Sequence, residues 1–252
     1  MRINSDINIL GSFGDWELLR WLALQKEGYV IDKNLKHEFT SIKTTKSLST
    51  ILKVLKDNFL TSVEFSSQKM VYSVLKIKGI TKETLILLFW NVSAKNELLF
   101  HLNEKVFFPA FYSGRVSLRN DEVVACIKEL KQSEDDLKKW SDTTITTTAS
   151  KYLTLLKKFG LMEGSVNKSI IRPYLSDTMF VLFAYWLTAI SKKPNLLHSE
   201  WLQYSFSDKQ LLIDRLLQKK FSKYFNVIYT GDRLSIEPLI AYEEIYEYCN
   251  NH

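Results

Sequence analysis

Cysteine is nearly missing from this chain: there are two in 252 residues, Cys126 and Cys249, far apart and in no metal-type spacing. They cannot build a disulfide framework or a cysteine-ligated zinc site, and such usage suits a reducing compartment. Glycine and proline are also scarce, at eight and four. Few turn residues, with long stretches at helical period between them, argue for a mainly helical protein. The longest apolar stretch, residues 179–190, falls well short of the ~20 residues that span a bilayer. It reads as a helix buried on most sides. The opening stretch MRINSDINILGSFGDWE has no uninterrupted apolar core of the signal-peptide kind. The expectation is a cytoplasmic protein with no membrane partner.

Catalytic signatures are missing too. His37, His101, His198 and His252 are scattered, with no H-E-x-x-H spacing among them. The GSFG stretch at Gly11 lacks the preceding strand and the following Lys-Ser/Thr of a phosphate loop. Asp121-Glu122 and Asp135-Asp136 are adjacent pairs, which point in different directions on a helix. The reading is therefore of a non-enzyme that needs no cofactor and no small-molecule substrate.

What is present is positive charge, unevenly placed. The net charge is +6. Residues 36–82 hold nine Lys or Arg against three Asp or Glu, 143–174 hold five against one, and 207–224 hold five against two. Residues 225–252 reverse the sign, with one against five. Each basic block sits in a pattern of short helix, polar turn and second helix.

In the first block Asp15 should cap a helix that stops at Gly28, a second helix should cover 31–39, and Lys43, Lys46 and Lys53 should decorate the helix after it. Ser66 should cap a further helix. In the second, a long helical region over 81–104 leads to a helix near 121–131, then to the Thr/Lys segment 143–159, then to two short strands in GLMEGSVNKSIIRPYL. In the third, a buried helix over 176–190 precedes helices near 196–204 and 208–220. A hairpin through Gly231-Asp232 and an acidic helix over 239–248 complete it. The expected fold is mainly α: tandem helix-turn-helix or winged-helix modules with small β-hairpin wings, divided at 1–80, 81–175 and 176–252.

Segment 143–159 is the most informative. On a helical wheel Ile145, Ala149, Tyr152, Leu153, Leu155, Leu156 and Phe159 share one arc. The opposite arc holds Thr143, Thr144, Thr146, Thr147, Ser150, Lys151, Thr154, Lys157 and Lys158, with no carboxylate. Hydroxyls donate to phosphate oxygens and lysines neutralise them. As the second helix of a winged helix-turn-helix this segment would enter the major groove of double-stranded DNA, with Lys168 in the wing and Arg172 on its return strand. The face lacks Arg, Asn and Gln, the side chains suited to bidentate base contacts, so phosphate and shape should dominate. The same basic faces could instead bind acidic partner proteins.

LLFWNVSAKNELLFHLNEKVF, YSGRVSLRNDEVVACIKEL and the Thr-rich segment ending LKKFGLMEG together resemble the BrxA family of bacterial BREX (bacteriophage exclusion) systems, most strongly over 81–175. The resemblance implies a small cytoplasmic, helical, DNA-binding component beside the system's methyltransferase, ATPase and phosphatase-like proteins, its possible partners. Members have been labelled inner-membrane proteins, which this sequence does not support. A likeness of the family to the antitermination factor NusB implies RNA as the alternative ligand.

Overall fold

The computed structural model describes residues 3–25, 44–165 and 168–251. Lys43 and the helix expected over 31–39 lie outside them. The described chain is mainly α-helical with two small antiparallel hairpins. In order come α1 (Asp6–Ser12), α2 (Trp16–Leu24), α3 (Thr45–Leu55), α4 (Phe65–Lys78), α5 (Lys82–Lys95), α6 (Glu97–Leu102), α7 (Phe108–Tyr112), α8 (Asn120–Ser133), α9 (Asp135–Lys138) and α10 (Asp142–Lys158). The first hairpin follows, β1 (Met162–Glu163) with β2 (Ser169–Ile170). Then come α11 (Asp177–Ile190), α12 (Lys209–Leu216), the hairpin β3 (Phe225–Tyr229) with β4 (Leu234–Pro238), and α13 (Ile245–Asn251).

Local chemistry sets most boundaries. The Asp15 carboxylate accepts the Leu18 amide at 3.0 Å and starts α2, which ends at Leu24, before the expected stop at Gly28. Glu64, not Ser66, occupies the N-cap of α4, and Ser67 inside that helix is fully buried. The long helix expected over 81–104 is broken, because Asn96 ends α5 and its side chain accepts the Leu99 amide at 2.9 Å to start α6. The expected helix 196–204 is two 3₁₀ turns, Leu196–His198 and Glu200–Ser205. Asp208 caps α12, which stops at Leu216 before a further 3₁₀ turn. The acidic last helix starts at Ile245, six residues later than expected.

Two helices are buried almost all round and form the centre. On α5 every residue from Ile86 to Ser93 is buried, and on α11 every residue from Met179 to Leu187. They meet through Trp90, whose ring lies 5.8 Å from Trp186 and 5.3 Å from Phe183. The Trp90 indole donates to the Tyr204 carbonyl at 3.0 Å, whereas the buried Trp186 N–H has no partner among the described residues. The apolar cluster around this pair runs from Ile3 to Tyr246 and draws on all three expected segments. Among the described residues no helix is long and apolar enough to cross a membrane.

Beyond the apolar cluster, a buried polar knot ties the distant parts together. The Asn103 amide, in a π-helical turn between α6 and α7, donates to Ser93 Oγ at 2.9 Å and to the Tyr204 hydroxyl at 3.3 Å. The Tyr152 hydroxyl of α10 donates to its oxygen at 3.0 Å. Four elements thus share one satisfied network. That arrangement is favourable only while every member keeps its partner.

Candidate nucleic-acid interface

The Thr/Lys segment folds as expected into α10, capped by Ser141, whose hydroxyl accepts the Thr144 amide at 3.2 Å. Its apolar arc is buried throughout: Ile145, Ala149, Tyr152, Leu153, Leu155, Leu156 and Phe159. The helix ends in a left-handed glycine, Gly160 at φ +74°. The Leu161 amide then reaches the Leu156 carbonyl and the Gly160 amide the Lys157 carbonyl, which closes the last turn. The chain can then turn straight into β1.

The hairpin has a third member that periodicity could not show. Residues 116–118 lie along the other side of β2, through an antiparallel bridge between Ser117 and Ser169. The Ile170 amide donates to the Val116 carbonyl at 2.7 Å and the Leu118 amide to the Lys168 carbonyl at 3.3 Å. Helix α7, this short extended segment, α8, the single turn α9, α10 and the hairpin therefore follow one another around a shared core.

The polar arc of α10 is only partly open. Thr143, Thr146, Thr147 and Lys157 are exposed, whereas Thr144, Ser150, Lys151, Thr154 and Lys158 are half-buried. Ser150 donates to the Asn120 side chain at 3.2 Å, and Thr154 folds back onto the Ser150 carbonyl at 2.8 Å. The helix begins one residue before the carboxylate-free stretch, but the Asp142 carboxylate is held by Lys128 at 3.2 Å. The open face keeps its hydroxyl and ammonium character.

Lys151 sits under α1. A Cβ on Gly11 would fall 2.4 Å from the Lys151 carbonyl oxygen and 2.8 Å from its Cβ, so only glycine allows α1 to lie this close to α10. The glycine set aside as part of a failed phosphate loop is thus a packing residue. Helix α1 also packs on α3, where Lys46 and Lys53 are exposed.

At the other end of α10, Lys157 donates to the Gly164 carbonyl at 2.9 Å, tying the helix to the hairpin turn. Lys168 stands near enough to feel that charge: burial, and then Lys157, lower its pKa below the ordinary lysine value. Burial, and then Lys151, push Lys158 down to about 8. Arg172 is differently placed. Its guanidinium donates to the Phe111 carbonyl at 3.2 Å and the Arg115 carbonyl at 3.1 Å and lies over the Phe111 ring at 5.4 Å. It is exposed yet tethered, and pins the return strand to α7.

A groove of about 600 Å³ between α7 and α8 collects His101, Lys105, Arg115, Glu122, Cys126 and Glu129. Glu122 is held by Arg115 at 2.6 Å. Burial pushes the Cys126 thiol up to about 11, so it is protonated at neutral pH. Among the described residues no three His, Cys, Asp or Glu side chains gather as a metal site.

Against this geometry, one family model matches residues 19–184, well over half of the chain, and covers α5, α10, the hairpin and the first half of α11; it is the model of BrxA. The chain belongs to the BrxA family. It is accordingly a component of the bacterial BREX phage-defence systems. No curated protein and no solved structure matches it. The BrxA match begins after α1, so Gly11 lies outside the matched region and its contact, Lys151, inside it.

Proposed function

We propose that this BrxA protein is a non-catalytic, double-stranded DNA-binding component of its defence system, and that α7 through β2 act as a winged helix. The order helix, short strand, helix, helix, strand, strand is the order of that motif once the single turn α9 is set aside as part of the connector, with α10 as the helix that enters the major groove and the β1–β2 hairpin as the wing. One observation carries the reading. The open face of α10 presents Thr143, Thr146, Thr147 and Lys157 with no free carboxylate, next to Lys168 of the hairpin. Phosphate oxygens accept from hydroxyls and lysines without reading bases, so affinity should exceed sequence preference.

The test is a titration of a fluorescent duplex at several salt concentrations. Lys157→Ala and Lys168→Ala should each flatten the slope of log affinity against log salt by about 0.9, the value for one lost phosphate contact. Lys95→Ala, at the exposed end of α5, should leave the slope unchanged. Equal losses for all three would mean that net charge alone attracts DNA, and the located surface would be wrong.

A further inference from the structure

Between the first turn of α5, the last turn of α10 and the 171–175 segment that leaves the hairpin, the surface opens into a cavity of about 460 Å³. That is within the roughly 300–1,000 Å³ typical of small-molecule sites. Its walls are largely apolar, with Leu85, Phe159, Ile171, Pro173 and Met179 among them. Three lysines, Lys82, Lys157 and Lys158, also line it, with a single acidic residue, Glu83. The carboxylate is occupied, accepting the Ser176 hydroxyl at 2.6 Å.

Among the described residues none of the three lysines forms an ion pair. Lys158 is half-buried, and an anion beside it would favour the charged form that burial disfavours. Tyr174 belongs to the same lining and is 82% exposed, with the Arg215 guanidinium 4.9 Å from its ring centroid. A large exposed aromatic beside an apolar cavity offers a surface on which a flat ring can stack.

We propose that this cavity binds a small organic dianion, a phosphate monoester carried on a ring-sized apolar body. Three lysines set against one engaged carboxylate leave two positive charges. A phosphate monoester, at about −1.5 to −2 near neutral pH, matches them better than a carboxylate does. The apolar walls supply what inorganic phosphate cannot use. Lys157 and Lys158 belong both to this cavity and to the face assigned to DNA, so an occupied cavity weakens duplex binding. That consequence rests on the DNA reading; occupancy itself does not.

Calorimetric titration of the full chain with 1-naphthyl phosphate, without DNA, tests occupancy. Saturable binding at a single site is expected, with inorganic phosphate weaker by tenfold or more, roughly the worth of one good apolar contact. Ile171→Trp, which fills the cavity, should abolish binding, and Lys158→Met should weaken it by about tenfold. Methyl NMR covers the case in which the tryptophan variant does not fold: of the four methionines, Met179 alone should shift on titration. No saturation, or saturation with Met179 unmoved, overturns the proposal. Repeating the duplex titration with naphthyl phosphate present separates the two readings. Saturable binding without loss of DNA affinity keeps the site and removes the competition. Loss of both binding events leaves neither.

Discussion

Lys158 shows how one side chain can carry a pH signature. It is lowered from 10.5 to about 8 by burial first and Lys151 second. A lysine whose folded-state pKa is depressed loses its proton in the folded chain before the unfolded one. Between about 8 and 10.5 the unfolded state therefore binds more protons, and its contribution makes stability rise with pH across that window. DNA acts in the opposite sense, since phosphate favours the charged amine. Duplex affinity at fixed salt should fall as pH climbs from about 7 to 9. Lys158→Arg, charged throughout that range, should flatten the dependence. An identical pH profile for both proteins, read by fluorescence anisotropy, would remove Lys158 from the contact surface. Burial of this kind is not visible in a helical wheel, which places Lys157 and Lys158 on one arc although the fold exposes the first and half-covers the second.

Among the elements, α10 was the most legible and α1 the least. The wheel of 143–159 separates core from surface correctly because a single amphipathic helix against one core obeys its own period. The hairpin could also be read, from Gly160, the short apolar stretches and the polar turn. The 116–118 segment could not, because its partner is β2, about fifty residues downstream, and a short pairing leaves no alternation to detect. Lys151 and Arg172 were read as surface charges; the first lies beneath α1 and the second anchors a strand. Those roles depend on tertiary neighbours, and the one local hint was a glycine inside a helix. Gly11→Ala makes the point measurable. With its new carbon 2.4 Å from a backbone oxygen, the variant should lose about 1–3 kcal/mol in chemical denaturation, as overpacked helix contacts do. A variant as stable as the parent would mean that α1 rides loosely on α10.

In the whole molecule, the three expected segments share one apolar cluster, and a polar knot links the second to the third. Charge runs suggested the modules because lysines mark surfaces, and surfaces repeat more readily than cores do. The knot gives the shared interior a test. Tyr152→Phe keeps the ring but strips the donor from Asn103, leaving a buried amide oxygen short of a partner. It should cost about 1–3 kcal/mol. The loss should appear in a single unfolding transition followed at tryptophans on both sides, Trp16 and Trp201 among them. Two separated transitions would show the parts melting independently.

Finally, the closeness of α1 to α10 sets a schedule for the newborn chain. The glycine and the carbonyl it meets are about 140 residues apart, and chains lengthen at roughly 5–20 residues per second. For something on the order of ten seconds, then, the first helix has been made and its docking site has not. Ile7 and Leu10, both destined for the interior, spend that interval without α10, the helix on which α1 chiefly packs. The N-terminal segment is thus open to chaperone capture until α10 has been made.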